Sequence, residues 1–244
     1  GKIVSRFIST HPDQDHMMGL KHLDDEIPIY NFYCVANKAT KSDETDDFKH
    51  YCQLRDGDKA FYIYKGCSRK WMNLSDNERS TAGIQILWPD VDNTSFKSAL
   101  QDAAAGNSPN NISPVIKYSI EDGGSFLWMG DLETDFMEEI EDEVDWPNIS
   151  VLFAPHHGRD SGKIPESILS AMNPRVIVIG EAPSQHLNYY GSYNTITQNT
   201  AGTIAFECLD NCIHIYVSNE NYSVNFLVDY GATTYKNYIG SLEL

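Results

Sequence analysis

The sequence predicts a layered α/β domain spanning residues 1–244 as a single unit. Two observations predict this class. Short apolar runs rich in β-branched residues, typical of strands, alternate along the whole chain with polar or amphipathic segments typical of helices. The hydrophobic share of 41% is enough for a sizeable core, and we find no internal repeat or domain boundary.

The first half of the chain opens with an apolar run and continues with alternating elements. "KIVSRFIS" (2–9) reads as a strand, Pro12 disfavours a helix through the next residues, and "MMGLKHL" (17–23) can begin a helix. Strands follow at "IPIYNFYCV" (27–35), "KAFYIYKG" (59–66) and "GIQILWP" (83–89). Residues 38–60 predict a helix and a turn, 68–82 a surface loop, and 92–113 a loop with a short helix.

The second half continues the same alternation. "SPVIKYSI" (113–120) and "GGSFLWMGD" (123–131) predict two strands joined by the turn "EDGG". An acidic amphipathic helix (132–144), a strand running into a loop (148–158), a helix (165–172) and a buried strand (174–180) follow. Residues 202–231 predict two or three antiparallel strands.

Charge and cysteine content limit the partners and the compartment. Eighteen basic and 35 acidic residues give a net charge of −17, which argues against a protein that coats nucleic acid non-specifically. A nuclease stays open, because bound metal ions supply positive charge locally. With no long apolar run and no signal peptide in this sequence, we expect no membrane partner. We interpret the five cysteines as reduced thiols of a cytoplasmic protein.

Four residues of the types that bind metal ions lie within six positions just after the first predicted strand. They are His11, Asp13, Asp15 and His16, in "THPDQDH". Buried without partners, such groups would destabilise the fold by several kcal/mol, whereas a divalent cation can bind all four. The alternative is a polar loop with chance histidines. We favour a metal site on a strand-to-helix turn.

Three further stretches place ligand-type residues after a predicted strand. Asp131 ends "SFLWMGD", where it could be a metal ligand or the N-cap of the next helix. His156 and His157 end "VLFAPHHG", and we expect one of them to bind metal while the other orients substrate or a ligand. His186 follows the buried strand at 174–180, and taken alone it reads more readily as an ordinary loop residue than as a ligand.

The remaining three histidines fit structural or surface roles. His22, His50 and His214 lie inside a predicted helix, a polar segment and a strand. Five of the eight histidines therefore lie at strand ends beside acids or one another, and this combination predicts one shared metal site.

These motifs together resemble the metallo-β-lactamase superfamily. "THPDQDHMMGL" is similar to its His-x-[His/Asp]-x-Asp-His signature. The later order "ILWPD", "NNISPVIKY", "FLWMGDLE", "LFAPHHGRDSG" and "PRVIVIGEAPSQH" resembles its competence-protein (DNA-uptake) branch. The resemblance implies a four-layer αββα sandwich with a metal site at one edge of its two sheets.

Two departures from the family pattern affect the expectations. The family opens with a β-hairpin before the signature, so we expect this hairpin to be absent from this chain or supplied by a partner chain or domain that completes the N-terminal sheet. The branch also carries a late histidine where "NYYGSY" has Ser192, so His186 is the substitute that we assign to the site.

The resemblance implies a dinuclear centre and a role for each candidate residue. One metal ion would be held by His11, Asp13 and one of His156 and His157, the other by Asp15, His16 and His186, with Asp131 bridging. Zn²⁺ or Mn²⁺ suits this set, and iron is a further alternative. Asp13, Asp15 and His186 are the catalytic candidates. For substrate binding we expect Asn110, Asn111, Ser113 and Arg159, all of which read equally as ordinary loop residues.

The function expected from this resemblance is metal-dependent hydrolysis of a phosphodiester. The substrate would be nucleic acid or another phosphodiester, which makes the chain a phosphodiesterase or nuclease. One alternative is a hydrolase of a small ester, lactone or thioester, and another is a partner-dependent module of a larger assembly.

Overall fold

The structure is a computed structural model that describes residues 1–75 and 80–244. The chain forms two compact units. Unit 1 comprises Gly1–Cys67, Ile86–Val115 and Met129–Glu143, and unit 2 comprises Ser68–Gln85, Ile116–Trp128 and Val144–Leu244. That residues 1–244 form a single domain stays a prediction.

Twelve strands and seven α-helices are found in the described residues. The strands are β1 (Phe7–Ile8), β2 (Phe32–Cys34), β3 (Ala60–Tyr62), β4 (Ile84–Trp88), β5 (Val115–Ser119), β6 (Ser125–Trp128), β7 (Val151–Phe153), β8 (Val176–Ile179), β9 (Thr195–Thr197), β10 (Ile204–Leu209), β11 (Cys212–Val217) and β12 (Tyr238–Glu243). The helices are α1 (Gln14–Met17), α2 (Leu20–Glu26), α3 (Asp46–Asp56), α4 (Thr94–Ala104), α5 (Thr134–Glu139), α6 (Glu166–Met172) and α7 (Gln198–Ala201). The chain is thus a mixed α/β protein.

Three sheets organise these strands. A small parallel sheet has the order β1-β2-β3, and a six-stranded sheet has the order β4-β5-β6-β7-β8-β9. In the larger sheet β5 and β6 form an antiparallel hairpin, and β6 to β9 run parallel. The third sheet, β10-β11-β12, is antiparallel. β10 and β11 confirm two strands in the predicted segment 202–231, whereas β12 lies after that segment.

Each unit has its own buried core. In unit 1, Phe32, Phe48 and Tyr51 are almost fully buried in a cluster with Ile29. In unit 2, the inward side chains of β7, β8, β11 and their neighbours form the other cluster. All four residues of β8 are buried, as expected for a parallel strand covered on both faces.

Most predicted elements are confirmed, and the differences have local causes. The segment 92–113 contains an 11-residue helix, α4, because Asn93 caps its first turn by accepting the backbone N–H of Phe96 at 3.0 Å. We predicted neither the three-residue strand β9 nor the short helix α7. Of the predicted loop at 68–82, the part at residues 76–79 lies outside the described residues.

The cysteines and the helices bear on the expectations about compartment. All five cysteines are free, and in the β10–β11 hairpin Cys212 lies opposite Leu209 while Cys208 lies opposite Ile213. Within the part of the chain that the structure describes, every helix is too short or too polar to cross a membrane.

Candidate metal centre

The signature motif follows β1 directly and ends on a helix. The ladder of β1 extends to Ser9, whose N–H donates to the carbonyl of Tyr33 at 2.8 Å. We expected the helix to begin only at residue 17, and this was wrong. α1 begins at Gln14, because the Asp13 carboxylate accepts the N–H of Gln14 at 3.0 Å and caps the helix. Asp15 and His16 therefore lie on α1.

Three carboxylate and imidazole groups of unit 1 converge on one point. One ligand atom each from Asp15, His16 and Asp131 lie within 4.8 Å of one another. Nε2 of His16 is 3.0 Å from Oδ1 of Asp131, whose side chain is almost fully buried. Oxygen and imidazole ligands at this spacing suit a divalent cation.

The alternative role for Asp131, as a helix cap, is wrong. α5 begins at Thr134 and its N-cap position is occupied by Glu133, which makes no side-chain capping bond. The carboxylate of Asp131 instead faces His16, and its backbone N–H donates to Oγ of Ser113 at 3.1 Å. Asp131 is therefore fixed through its backbone N–H, with its carboxylate directed at His16.

His11 presents an unpartnered nitrogen to the same carboxylate. The residue is 1% exposed, and its ring centroid lies 4.2 Å from that of His16. Nε2 lies 3.9 Å from Oδ2 of Asp131, too far for a hydrogen bond, and has no hydrogen-bond partner among the described residues. A buried polar atom without a partner is costly, and a cation beside it would satisfy it.

Burial and neighbouring charge shift the pKa values of His11 and His16 in opposite directions. Burial, reinforced by the nearby His16, lowers the pKa of His11 to about 4, so its ring is neutral near pH 7. Burial also opposes protonation of His16, but the hydrogen bond and charge of Asp131 outweigh it and raise the pKa of His16. A neutral imidazole is the form that binds metal, so His11 is ready to bind a cation.

A buried serine links two of these groups. Oγ of Ser113 lies 3.1 Å from Nδ1 of His11 and accepts the N–H of Asp131, and Ser113 has no exposed surface. Oγ1 of Thr10 lies 3.2 Å from the same Nδ1. We expected Ser113 to bind substrate, but its complete burial leaves it no surface for that contact. Its observed contacts are with the candidate ligands.

Asp13 makes contacts other than those that we expected. It pairs with Lys41, which lies 28 positions later in the chain, and it caps α1. Partial burial opposes ionisation of Asp13, but Lys41 and the Gln14 amide together lower its pKa. Its assignment as a metal ligand and catalytic residue stays a prediction. Lys41 had no signal in the sequence, because nothing local marks a partner so distant.

Asn110 and Asn111 both bind Glu133, a residue that we did not single out. Their Nδ2 atoms donate to the two carboxylate oxygens of Glu133 at 3.1 Å each, and Oδ1 of Asn111 accepts the Glu133 backbone N–H at 3.0 Å. These bonds hold the segment that follows Asp131. A role of the two asparagines in substrate binding stays a prediction.

In unit 2, the predicted histidine pair lies in an unusual backbone conformation. His156 and His157 follow β7 and have φ values of 50° and 59°, in the left-handed region that non-glycine residues rarely adopt. Oγ of Ser161 lies 2.8 Å from Nδ1 of His156. Residues in this backbone region cluster at functional sites, so two in succession favour a functional role for this loop. Arg159, next in the loop, is exposed.

His186 lies in a 3₁₀ turn after β8 in unit 2. Its side chain is partly buried and stacks on Tyr189, with ring centroids 5.3 Å apart. Its Nδ1 atom is buried and has no hydrogen-bond partner among the residues that the structure describes. Because β7 and β8 are parallel, the loops bearing His157 and His186 leave the same edge of the sheet. The ligand roles of the unit 2 histidines stay predictions.

Comparison with known proteins leaves the family open. No family model matches the chain, and no curated protein matches it. Among solved structures the chain is similar to Igni18, described as a novel metallo hydrolase from the hyperthermophilic archaeon Ignicoccus hospitalis KIN4/I. The identity is 16%, the match covers 79% of this chain and 75% of that chain, and the TM-score is 0.41. A likeness of this extent carries no argument about fold or function.

Proposed function

We propose that this chain is a metal-dependent hydrolase of phosphodiesters with a dinuclear metal centre. The observation that carries the proposal is the unpartnered Nε2 of His11, buried 3.9 Å from Asp131, next to the convergence of Asp15, His16 and Asp131. A cation beside the unpartnered nitrogen of His11 and the buried carboxylate of Asp131 would satisfy both groups, which the two cannot do for each other at 3.9 Å.

The proposed ligand set follows the resemblance to the metallo-β-lactamase superfamily. One ion would be held by His11, Asp13 and one of the two loop histidines, and the other by Asp15, His16 and His186, with Asp131 bridging. Carboxylate and imidazole ligands suit Zn²⁺, Mn²⁺ or iron, and their chemistry does not select one of them.

The chain's own residues have distinct tasks in this scheme. When bound, the ions supply polarisation of the phosphoryl group and ionisation of water near neutral pH. The exposed Asp15 on α1 would accept a proton from the attacking water, a task that Asp13 could share. Arg159 would bind a phosphate oxygen. His186, as an imidazolium not bound to an ion, would give a proton to the leaving oxygen, so its roles as ligand and as acid are alternatives.

A small ester, lactone or thioester is the second candidate substrate. The net charge of −17 opposes the approach of a polyanionic nucleic acid and favours a small substrate. A partner-dependent module of a larger assembly is the third proposal.

The fold of the chain is part of the same proposal. We propose the four-layer αββα sandwich of the metallo-β-lactamase superfamily, and within it the competence-protein branch. The order of the quoted motifs supports both, and an experimental structure of the chain would test the fold.

Hydrolysis of two chromogenic substrates separates these functions. We expect the metal-loaded protein to cleave bis-p-nitrophenyl phosphate, and we expect Asp15→Ala to abolish this activity. Asp25→Ala is the matched control, because Asp25 is also an exposed aspartate but pairs with Lys21 instead. Cleavage of p-nitrophenyl acetate without cleavage of the diester would favour the ester hydrolase. Activity on neither substrate would contradict an enzyme that acts without a partner.

A further inference from the structure

Ser113 contacts both sides of the candidate centre through one oxygen. The N–H of Asp131 donates to Oγ at 3.1 Å, and Nδ1 of His11 lies 3.1 Å from the same Oγ. Ser113 is separated from His11 by 102 positions in the chain and is 0% exposed. The Asp131 bond is unambiguous in direction, because a backbone N–H can only donate.

The direction of the second bond decides which nitrogen of His11 is free. A serine hydroxyl has one proton and two lone pairs, and Asp131 occupies one lone pair. If the hydroxyl donates to Nδ1, the neutral ring carries its proton on Nε2. If Nδ1 donates to the second lone pair, Nε2 is unprotonated and can bind a cation.

A hydroxyl can act in both of these ways. Two hydroxyls lie near Nδ1 of His11, Oγ of Ser113 at 3.1 Å and Oγ1 of Thr10 at 3.2 Å, and Ser113 is the one that also accepts the N–H of Asp131. An Nε2–H would face the Asp131 carboxylate, which suits the ring without a cation. An unprotonated Nε2 beside that carboxylate needs a cation to relieve the repulsion between the two acceptors. A carboxylate or carbonyl at position 113 could only accept, and so would serve one of the two ring forms.

We propose that Ser113 is a positioning residue that orients His11 and, by accepting its Nδ1–H, presents an unprotonated Nε2 to the metal. This inference rests on the proposed function and adds a residue that acts through His11 and touches no substrate. Partners of this kind on metal-binding histidines fix the tautomer and raise metal affinity. Through the Asp131 N–H, the same oxygen also holds the chain segment that bears the proposed bridging carboxylate.

The test compares Ser113→Ala with a matched serine variant. Ser241→Ala is the control, because Ser241 is also a buried serine whose Oγ bonds Nδ1 of a histidine, His214, which we do not assign to the centre. Zn²⁺ affinity is measured by competition with a chromogenic chelator. We expect Ser113→Ala to weaken it about 10- to 100-fold, the usual effect of removing such a partner, and Ser241→Ala to leave it unchanged.

The tautomer of His11 provides a readout that does not depend on the variant folding. In the Zn²⁺-loaded wild type labelled with ¹⁵N-histidine, we expect NMR spectra to show a proton on Nδ1 of His11 and the metal on Nε2. Metal on Nδ1 of His11, or unchanged affinity in a folded Ser113→Ala, would overturn the inference and leave the proposed function intact. Failure of the wild type to bind metal would overturn both.

Discussion

Substitution of Gly130 by alanine should disturb the centre through Ser113 and Thr10, the two residues whose hydroxyls contact His11. Gly130 has a φ of +54°, and a Cβ added there would lie 2.5 Å from Oγ and 2.6 Å from Cβ of Ser113. It would also lie 3.2 Å from Cβ of Thr10. Since Ser113 is fully buried, it cannot move away without shifting the oxygen that contacts His11.

The expected cost has two parts, which a second glycine separates. A non-glycine residue in the left-handed region costs about 1–2 kcal/mol, and overpacking a buried site adds about 1–3 kcal/mol. Gly130→Ala should therefore cost about 2–5 kcal/mol in the free energy of unfolding. Gly19 also has positive φ, +85°, but a Cβ there would meet nothing within 4 Å, so Gly19→Ala should cost only the first part, about 1–2 kcal/mol.

Thermal unfolding of the two variants beside wild type measures the difference. Each kcal/mol lowers Tm by about 2–4 °C in a chain of this size, so Gly130→Ala should melt several degrees below Gly19→Ala. Zn²⁺ affinity should fall in Gly130→Ala and not in Gly19→Ala. Equal losses of Tm with equal affinities would refute the packing argument.

Two further predictions concern groups away from the centre. Asp47 accepts the backbone N–H groups of Gly19 and Lys21 at 3.0 Å each, so Asp47→Ala, which removes both acceptors, should cost about 1 kcal/mol near pH 7 in urea unfolding. Burial opposes the ionisation of Asp47, but these two bonds outweigh it and lower its pKa. The stabilisation by Asp47 is therefore present above the unfolded pKa of about 3.9 and is lost as the pH falls through the lower folded pKa. A difference in stability between wild type and variant that is equal at every pH would contradict this. Burial raises the pKa of the Cys34 thiol to about 12, so this thiol should not react near pH 8. After iodoacetamide treatment of the folded protein, peptide mass spectrometry should find Cys34 unmodified and the partly exposed Cys208 alkylated. Rapid labelling of Cys34 in the folded protein would count against its burial.

The elements that the sequence predicted well depend on local patterns. The short, β-branched, all-apolar run of β8 indicated a covered strand, and the glycine pair at 123–124 marked the turn of the β5–β6 hairpin. The position of Asp131 directly after an apolar strand indicated a place at a sheet edge and left a helix cap open, and the structure decides between them by placing its carboxylate beside His16. Such signals need only a few neighbouring residues.

The features that the sequence did not show depend on distant partners or on very short elements. Pro12 suggested that no helix could start in the motif, but Pro12 precedes the N-cap, where a proline does not interrupt helical hydrogen bonds. The contacts of Lys41 with Asp13 and of Ser113 with His11 join positions 28 and 102 apart, and neither pair has a recognisable spacing. β9 has only three residues, too few for a periodic pattern.

The measurement that tests the central claim most directly is metal content by plasma mass spectrometry. Wild type, His16→Ala and His50→Ala are compared after equal purification. His50 is the matched control, because its Nε2 also lies 2.9 Å from an aspartate, Asp24, outside the proposed ligand set. We predict about two Zn or Mn ions per chain in wild type and His50→Ala, following the dinuclear arrangement, and a clear loss in His16→Ala. Wild-type protein that holds no metal when Zn²⁺ and Mn²⁺ are supplied, or equal metal in all three proteins, would contradict the account.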